Sequence, residues 1–264
     1  MIISGIKYWY GTAAIKLNKM QDNMKLEIIA FTVHSCKLIE EAGADRIELC
    51  DNPAEGGTTP SYGFIKQARS TCSIPIFPMI RPRGGDFLYD GDEFDVMKTD
   101  IRACKLLGCD GVVLGILKAD GSVDTDRCRE LVDLAYPMEV SFHRAFDRTA
   151  DPIQSLEDVI NIGCTRLLSS GCQPTAEKGS ALLKTLIEKA GDRIIVMPGS
   201  GIRSDNLQDL IQSTGAIEYH SSARIQVPGH MSFQQSSLPE NMMLTSVDAE
   251  EIRKMAQILK GQPV

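Results

Sequence analysis

From Lys25 onward, short apolar runs bounded by turn residues alternate with longer stretches in which apolar positions recur every three to four residues. That alternation is the pattern of repeated βα units around a parallel sheet. Eight units can be counted, with strands expected at Lys25 to Phe31, Asp45 to Cys50, Pro75 to Arg81, Gly111 to Gly115, Met138 to His143, Arg166 to Ser170, Arg193 to Pro198 and Ala216 to His220. Helical periodicity fills much of the rest: His34 to Ala42, Glu93 to Leu107, Asp124 to Leu134, Pro152 to Ile162, Ala176 to Ala190 and Ser204 to Ser213. Gly43, Gly108 and Gly163 each follow a helix and precede a strand. Glycine there accepts the left-handed conformation that closes a helix.

Eight such units favour a closed barrel, because a doubly wound open sheet usually has fewer strands and a glycine fingerprint after the first. Here the first turn reads Phe31-Thr32-Val33-His34. The expected class is α/β, a (β/α)8 TIM barrel. Residues 1–24 read as an N-terminal extension and 25–264 as one domain, with the barrel core at about 25–224. A polar segment from about Ile225 to Glu240 reads as irregular, and Val247 to Leu259 as a closing helix.

Along a strand, residues two apart share a face. With the apolar partners turned to the helices, Ile47, Leu49, Val140, Phe142, Ile217, Tyr219, Leu26 and Ile28 face outward. The barrel axis then receives Glu27, Glu48, Cys50, Glu139, Ser141, His143, Glu218 and His220, and Arg81 ends the third strand. Buried charge is costly unless paired, so this interior is either a ligand site or an internal ion network. Glu48, Cys50, Arg81, His143 and His220 stand at strand ends, the usual functional positions of a barrel, whereas Glu27 and Glu139 stand near strand starts.

A formal net charge of −7 argues against nucleic-acid and anionic-membrane partners, which need a basic face. No apolar run reaches the roughly 18 residues of a membrane span. The expected partner is a metal ion, a small anionic molecule or another copy of the chain. Eight cysteines are scattered without a dense framework, which fits a reduced cytoplasmic setting. Small residues follow the later strands at Ser169-Ser170-Gly171-Cys172, Gly199-Ser200-Gly201 and Ser221-Ser222-Ala223. Backbone N–H groups in such loops can hold an anion or simply form tight turns.

Four segments resemble the signatures of the CutC family: Gly43-Ala44-Asp45-Arg46-Ile47-Glu48-Leu49-Cys50, Glu55-Gly56-Gly57-Thr58-Thr59-Pro60-Ser61, Met79-Ile80-Arg81-Pro82-Arg83-Gly84-Gly85-Asp86-Phe87 and Phe142-His143-Arg144-Ala145-Phe146-Asp147. The resemblance covers about residues 25 to 224. It implies a cytoplasmic TIM-type barrel (also nuclear in animals) that assembles into homo-oligomers, dimers or tetramers, and serves copper homeostasis with Cu(I) as the bound ion. Cys50 is then the metal ligand. Copper-binding relatives also use a cysteine in the first strand, where this chain reads Leu26-Glu27-Ile28-Ile29-Ala30-Phe31, leaving Met79 or Cys172 as substitutes.

The residue chemistry offers an alternative, a lyase- or isomerase-type enzyme for a small anionic or phosphorylated substrate. Arg81 and Arg83 would clamp anionic groups, and Ser170, Gly171, Gly199, Ser200 and Gly201 would cradle a phosphate. Glu48 would exchange protons with His143 or His220, with Asp147 orienting His143 or Arg144. In a variant, Glu48, His143, Glu218 and His220 hold a divalent ion.

Overall fold

The computed structural model describes residues 24–233, 235, 237–238 and 242–262, so the extension expected at 1–24 falls, apart from Met24, outside the described residues. Eight short parallel strands ring a common axis. In chain order they are β1 (Lys25–Ala30), β2 (Arg46–Leu49), β3 (Ile76–Pro78), β4 (Gly111–Leu114), β5 (Glu139–Phe142), β6 (Arg166–Ser169), β7 (Ile195–Pro198) and β8 (Glu218–Ser221). Ladders run in the order β3-β2-β1-β8 and β4-β5-β6-β7. A Met79–Val113 bridge joins β3 to β4, and β7 lies alongside β8 to complete the ring.

Helices α1 (Val33–Glu41), α2 (Tyr62–Thr71), α3 (Gly91–Leu106), α4 (Thr125–Ala135), α5 (Pro152–Asn161), α6 (Ser180–Ala190), α7 (Leu207–Thr214) and α8 (Ala249–Leu259) surround the strands. Local sequence sets many of their starts. Thr32, Ser61, Asp124, Asp151 and Asp248 cap first turns, and Asp90 with Glu93 forms a reciprocal capping box on α3. Gly43, Gly108 and Gly163 take φ of 89°, 73° and 92°, the left-handed closure expected of them.

Three differences from the sequence reading have plain causes. The stretch expected to be irregular from about Ile225 opens with strand β9 (Arg224–Val227), paired antiparallel to β10 (Leu244–Val247), two four-residue strands too short to stand out beside the polar segment between them. Helix α2 was not among the expected helices, because Gly63 and a run of polar residues break its apolar period. Ile217 precedes β8 and is partly exposed, whereas Tyr219 is fully buried as expected.

Alternation divides the strand residues into two cores. Leu26, Ile28, Ile47, Leu49, Val112, Val140, Phe142 and Tyr219 pack outward with the helices, while Ile29, Cys50, Phe77, Met79 and Val113 form a second cluster inside the barrel. Below that inner cluster lies an ion lattice. Arg46 donates to Glu27 at 2.5 Å and to Glu218 at 2.6 Å, and Arg166 donates to Glu218 at 2.8 Å and also pairs with Glu139. Both guanidinium groups lie over the Phe77 ring, 5.1 and 5.6 Å from its centroid. The strand-start half of the interior is therefore a closed network of countercharges, each satisfying the next.

Gly111 makes room for Phe77, since a Cβ there would sit 2.5 Å from the ring. Gly111→Ala should destabilise the barrel by about 1–3 kcal/mol through overpacking. Differential scanning calorimetry should read this as a melting temperature lower by about 3–10 °C.

Candidate functional site

Above the ion lattice, the C-terminal ends of the strands enclose a cavity of about 990 Å³. That is the size of a small-molecule site. Glu48, His143, Leu168 and His220 form its deep part, and Phe31, Met79 and Phe87 supply apolar wall. Lys118, Arg144, Arg148 and Arg224 line the mouth together with Glu55, Asp86 and Asp147, the last paired with Arg144.

Glu27, at the start of β1, links the lattice to the cavity. One carboxylate oxygen accepts from Arg46; the other lies 2.8 Å from His220 Nδ1. Burial alone would raise the Glu27 pKa, but Arg46 and then His220 more than offset it and hold the carboxyl well below the usual range. His220 Nε2 in turn faces Glu48 Oε2 at 3.7 Å. Burial works against a charged ring, yet Glu48 and Glu27 together raise the His220 pKa. Burial pushes Glu48 the other way from Glu27, upward, with His220 only partly opposing it and the neighbouring Glu27 charge adding to it. Three ionisable groups thus sit in line with their proton affinities spread apart, the arrangement that separates acid from base.

Glu48 Oε1 and His143 Nε2 are buried and find no hydrogen-bond partner among the described residues. Both residues line the cavity. Such atoms carry a desolvation cost that a ligand would relieve. His143 is held differently from His220. Its Nδ1 accepts from the Ala145 N–H at 3.2 Å, and burial followed by the Arg81 charge lowers its pKa to about 3. The structure therefore sets Glu48 beside His220 and keeps the His143 ring neutral.

That depressed value has a consequence for folding. An unfolded histidine protonates near pH 6.5 while His143 stays neutral down to about pH 3, so its contribution is complete above 6.5 and is lost as pH falls through that window. One proton taken up only by the unfolded chain changes the folding constant about tenfold per pH unit. Glu48, with a raised pKa, opposes this slope in both wild type and His143→Phe. Urea denaturation of the two proteins between about pH 6 and pH 5 should therefore show the stability difference shrinking by that factor per unit.

The other expected site residues divide. Arg81 is turned inward but spends its guanidinium on loop carbonyls, donating to Glu55 and Gly57 from Nη1 and to Gly85 from Nη2. It ties the loop after β2 to the loop after β3. Arg83 leaves the cavity altogether, bound to Glu93 and Asp86 and stacked on Tyr89, so the two-arginine clamp does not form. Asp147 accepts from Arg144, Ser169, Ser170 and the Cys172 N–H, which makes it a partner of Arg144 and not of His143. Ser170 is fully buried against Asp147, and a Cβ on Gly171 would strike the Gly179 carbonyl, so both serve a close backbone crossing. Gly199 is held bare by Leu168 and His220; Ser200 and Gly201 do face the cavity, both at positive φ.

Cys50 is completely buried. Its Sγ and the Met79 Cε both lie against Gly57, 2.9 and 3.7 Å from where a Cβ would project. Cys172 sits apart from it, beside Phe146 and Asp147. In the divalent-ion set, Glu218 lies in the lattice between Arg46 and Arg166. Glu27, Glu48 and His220 are the acidic and imidazole groups that converge, with ligand atoms within 4.8 Å of one another. Arg46 and Arg166 are functional-site neighbours outside the candidate set, although Arg46, two positions before Glu48, shares its face of β2. The rim cations lie where no apolar period marks them: Lys118 on a loop, Arg148 at the end of a 3-10 turn over Arg144–Arg148, and Arg224 at the start of β9.

An eight-stranded parallel barrel with its cavity at the C-terminal ends of the strands defines a TIM-type (β/α)8 protein. The chain belongs to the CutC family, whose model matches residues 24–225. It is 54% identical over 213 residues to the family protein CutC of Chromobacterium violaceum, covering 81% of this chain and 86% of that one. Against the human copper homeostasis protein cutC homolog it is 44% identical over 243 residues, 89% of each. The crystal structure of CutC from Streptococcus agalactiae superposes with a TM-score of 0.72 at 35% identity, over 75% of this chain and 98% of that one.

Proposed function

We propose that this protein is an enzyme that moves protons on a small anionic substrate bound at the C-terminal mouth of its barrel. The observation that carries this reading is His220 set between two buried carboxylates in the depth of the cavity, 2.8 Å from Glu27 and 3.7 Å from Glu48. Glu27, kept ionised by Arg46, orients the ring, as a carboxylate commonly does for a working histidine. Glu48 faces the substrate space and acts as the acid–base group, with His220 as its proton partner. The cations at the mouth draw in and hold the substrate's negative charge. A cytoplasmic homo-oligomer, dimer or tetramer, is part of the same proposal, and mass photometry reads the assembly directly.

The test is solvent deuterium exchange. Small phosphates and carboxylates are incubated with the protein in D2O and their carbon-bound deuterium is read by mass spectrometry. Incorporation that disappears in Glu48→Gln supports the reading, and no incorporation from any compound contradicts it.

Copper handling is the second reading, favoured by the names of the human and mouse relatives and by Cys50 and Met79 sharing the inner cluster beside Gly57. Thiol and thioether are the donor types that Cu(I) prefers. The surroundings fit the ion poorly. Cys50 brings a single thiol, β1 supplies Ile29 and no cysteine to the cluster, and burial followed by the Glu48 charge keeps the thiol protonated. Anaerobic Cu(I) titration against a competing chelator should give weak binding that Cys50→Ser leaves unchanged. Tight stoichiometric binding lost in that variant would place copper first.

A further inference from the structure

We infer that His143 is a fixed hydrogen-bond donor to a carbonyl oxygen of the substrate, which makes the substrate class an enolisable carbonyl compound carrying a phosphate or carboxylate. The inference deepens the proposed function and rests on Glu48 as the acid–base group.

The geometry leaves the ring one tautomer. Nδ1 accepts the Ala145 N–H, so it must keep its lone pair, and a neutral imidazole then carries its hydrogen on Nε2. Nε2 is the atom that lies buried on a cavity-lining residue with no partner among the described residues. The ring cannot swing away to find one. Its Nδ1 edge fills the space left by Gly115, where a Cβ would come within 2.7 Å of Nδ1 and Cε1. The imidazole also packs against the Phe87 ring, tilted by 54° with centroids 5.0 Å apart. Nearby Arg81 and burial both keep it neutral, so it offers an N–H that stays put when charge develops beside it.

Two other buried atoms on cavity-lining residues lack a partner among the described residues: Arg81 Nε, a donor, and Glu48 Oε1, the acceptor of the set. A fixed donor and a carboxylate in one cavity are what enolisation requires. Glu48 removes the proton from the carbon next to the carbonyl; the C–H electron pair becomes the C=C bond, and the carbonyl π pair moves onto oxygen as an enolate. The His143 N–H holds that oxygen without transferring its proton. Once the acid proton on Glu48 has exchanged with solvent, its return to the same carbon re-forms the carbonyl and completes the exchange with no net oxidation.

Two measurements on the full chain test this. Long-range ¹H–¹⁵N spectra at neutral pH should show His143 protonated on Nε2 alone, and a ring protonated on Nδ1 overturns the inference. Calorimetric titration then compares inorganic phosphate with a series of phosphorylated hydroxamates, which mimic the enolate. At least one hydroxamate should bind about 100-fold more tightly than phosphate, as transition-state mimics do. His143→Phe should remove that gain and leave phosphate binding unchanged, while His143→Gln, which keeps a donor, should restore part of it. A hydroxamate gain that survives in His143→Phe, or the absence of any gain beside normal phosphate binding, overturns the role of His143 and leaves the acid–base reading standing. Failure of every anion to bind overturns both.

Discussion

Glu48→Gln is expected to leave the barrel folded and to lower proton exchange on its substrate by about 10²–10⁴-fold, the usual worth of a positioned general acid or base. Glutamine keeps the shape and hydrogen-bonding capacity of the side chain and removes only its ability to take and give a proton. Glu48 holds no arginine in the lattice below, and the His220 ring it faces keeps Glu27 as its closer carboxylate after the change. The carboxyl is fully buried and raised in pKa by that burial, and a neutral amide suits such a site. Thermal melts should therefore match wild type or exceed it while the exchange rate collapses. A large fall in stability alongside the loss of activity would mean that Glu48 belongs to the framework and not to the chemistry.

Arg46→Met should have the opposite signature, a fold weakened by about 3–5 kcal/mol, because truncating one member of a buried ion network leaves its partners charged and unpaired. The partners here are Glu27, which would lose its closest cation, and Glu218, which would keep only Arg166. A loss of this size lowers the melting temperature by roughly 6–20 °C for a chain of this length. Adding Glu27→Gln to Arg46→Met should recover much of that loss, since the cost lies in the uncompensated charge and not in the lost contact. Thermal denaturation of the single and double variants reads both effects.

How far the sequence was legible follows from what generates each feature. Strand alternation is a backbone property, so it correctly turned Glu48, Arg81, His143 and His220 toward the axis, and all four are buried there. The glycine closures at Gly43, Gly108 and Gly163 were legible for the same reason. Partners were not. Arg81 binds carbonyls of loops whose paths have no period, and Arg83 is captured by Glu93 ten residues on. Two histidines in equivalent strand-end positions received opposite electrostatics, His220 from two carboxylates and His143 from burial and Arg81. That difference depends on strand neighbours: β8 sits beside β1 with Glu27 paired to His220, and no spacing within either strand reveals it.

The measurement that bears most directly on the account is the protonation of Glu48 itself, read as the infrared carboxyl band present in wild type and missing in Glu48→Gln. The expected result is a protonated carboxyl that persists above the ordinary glutamate value of 4.5 and ionises only as the pH approaches neutrality, shifting when an anion enters the cavity. A Glu48 carboxylate already ionised at that ordinary value, and indifferent to added phosphate, would contradict it.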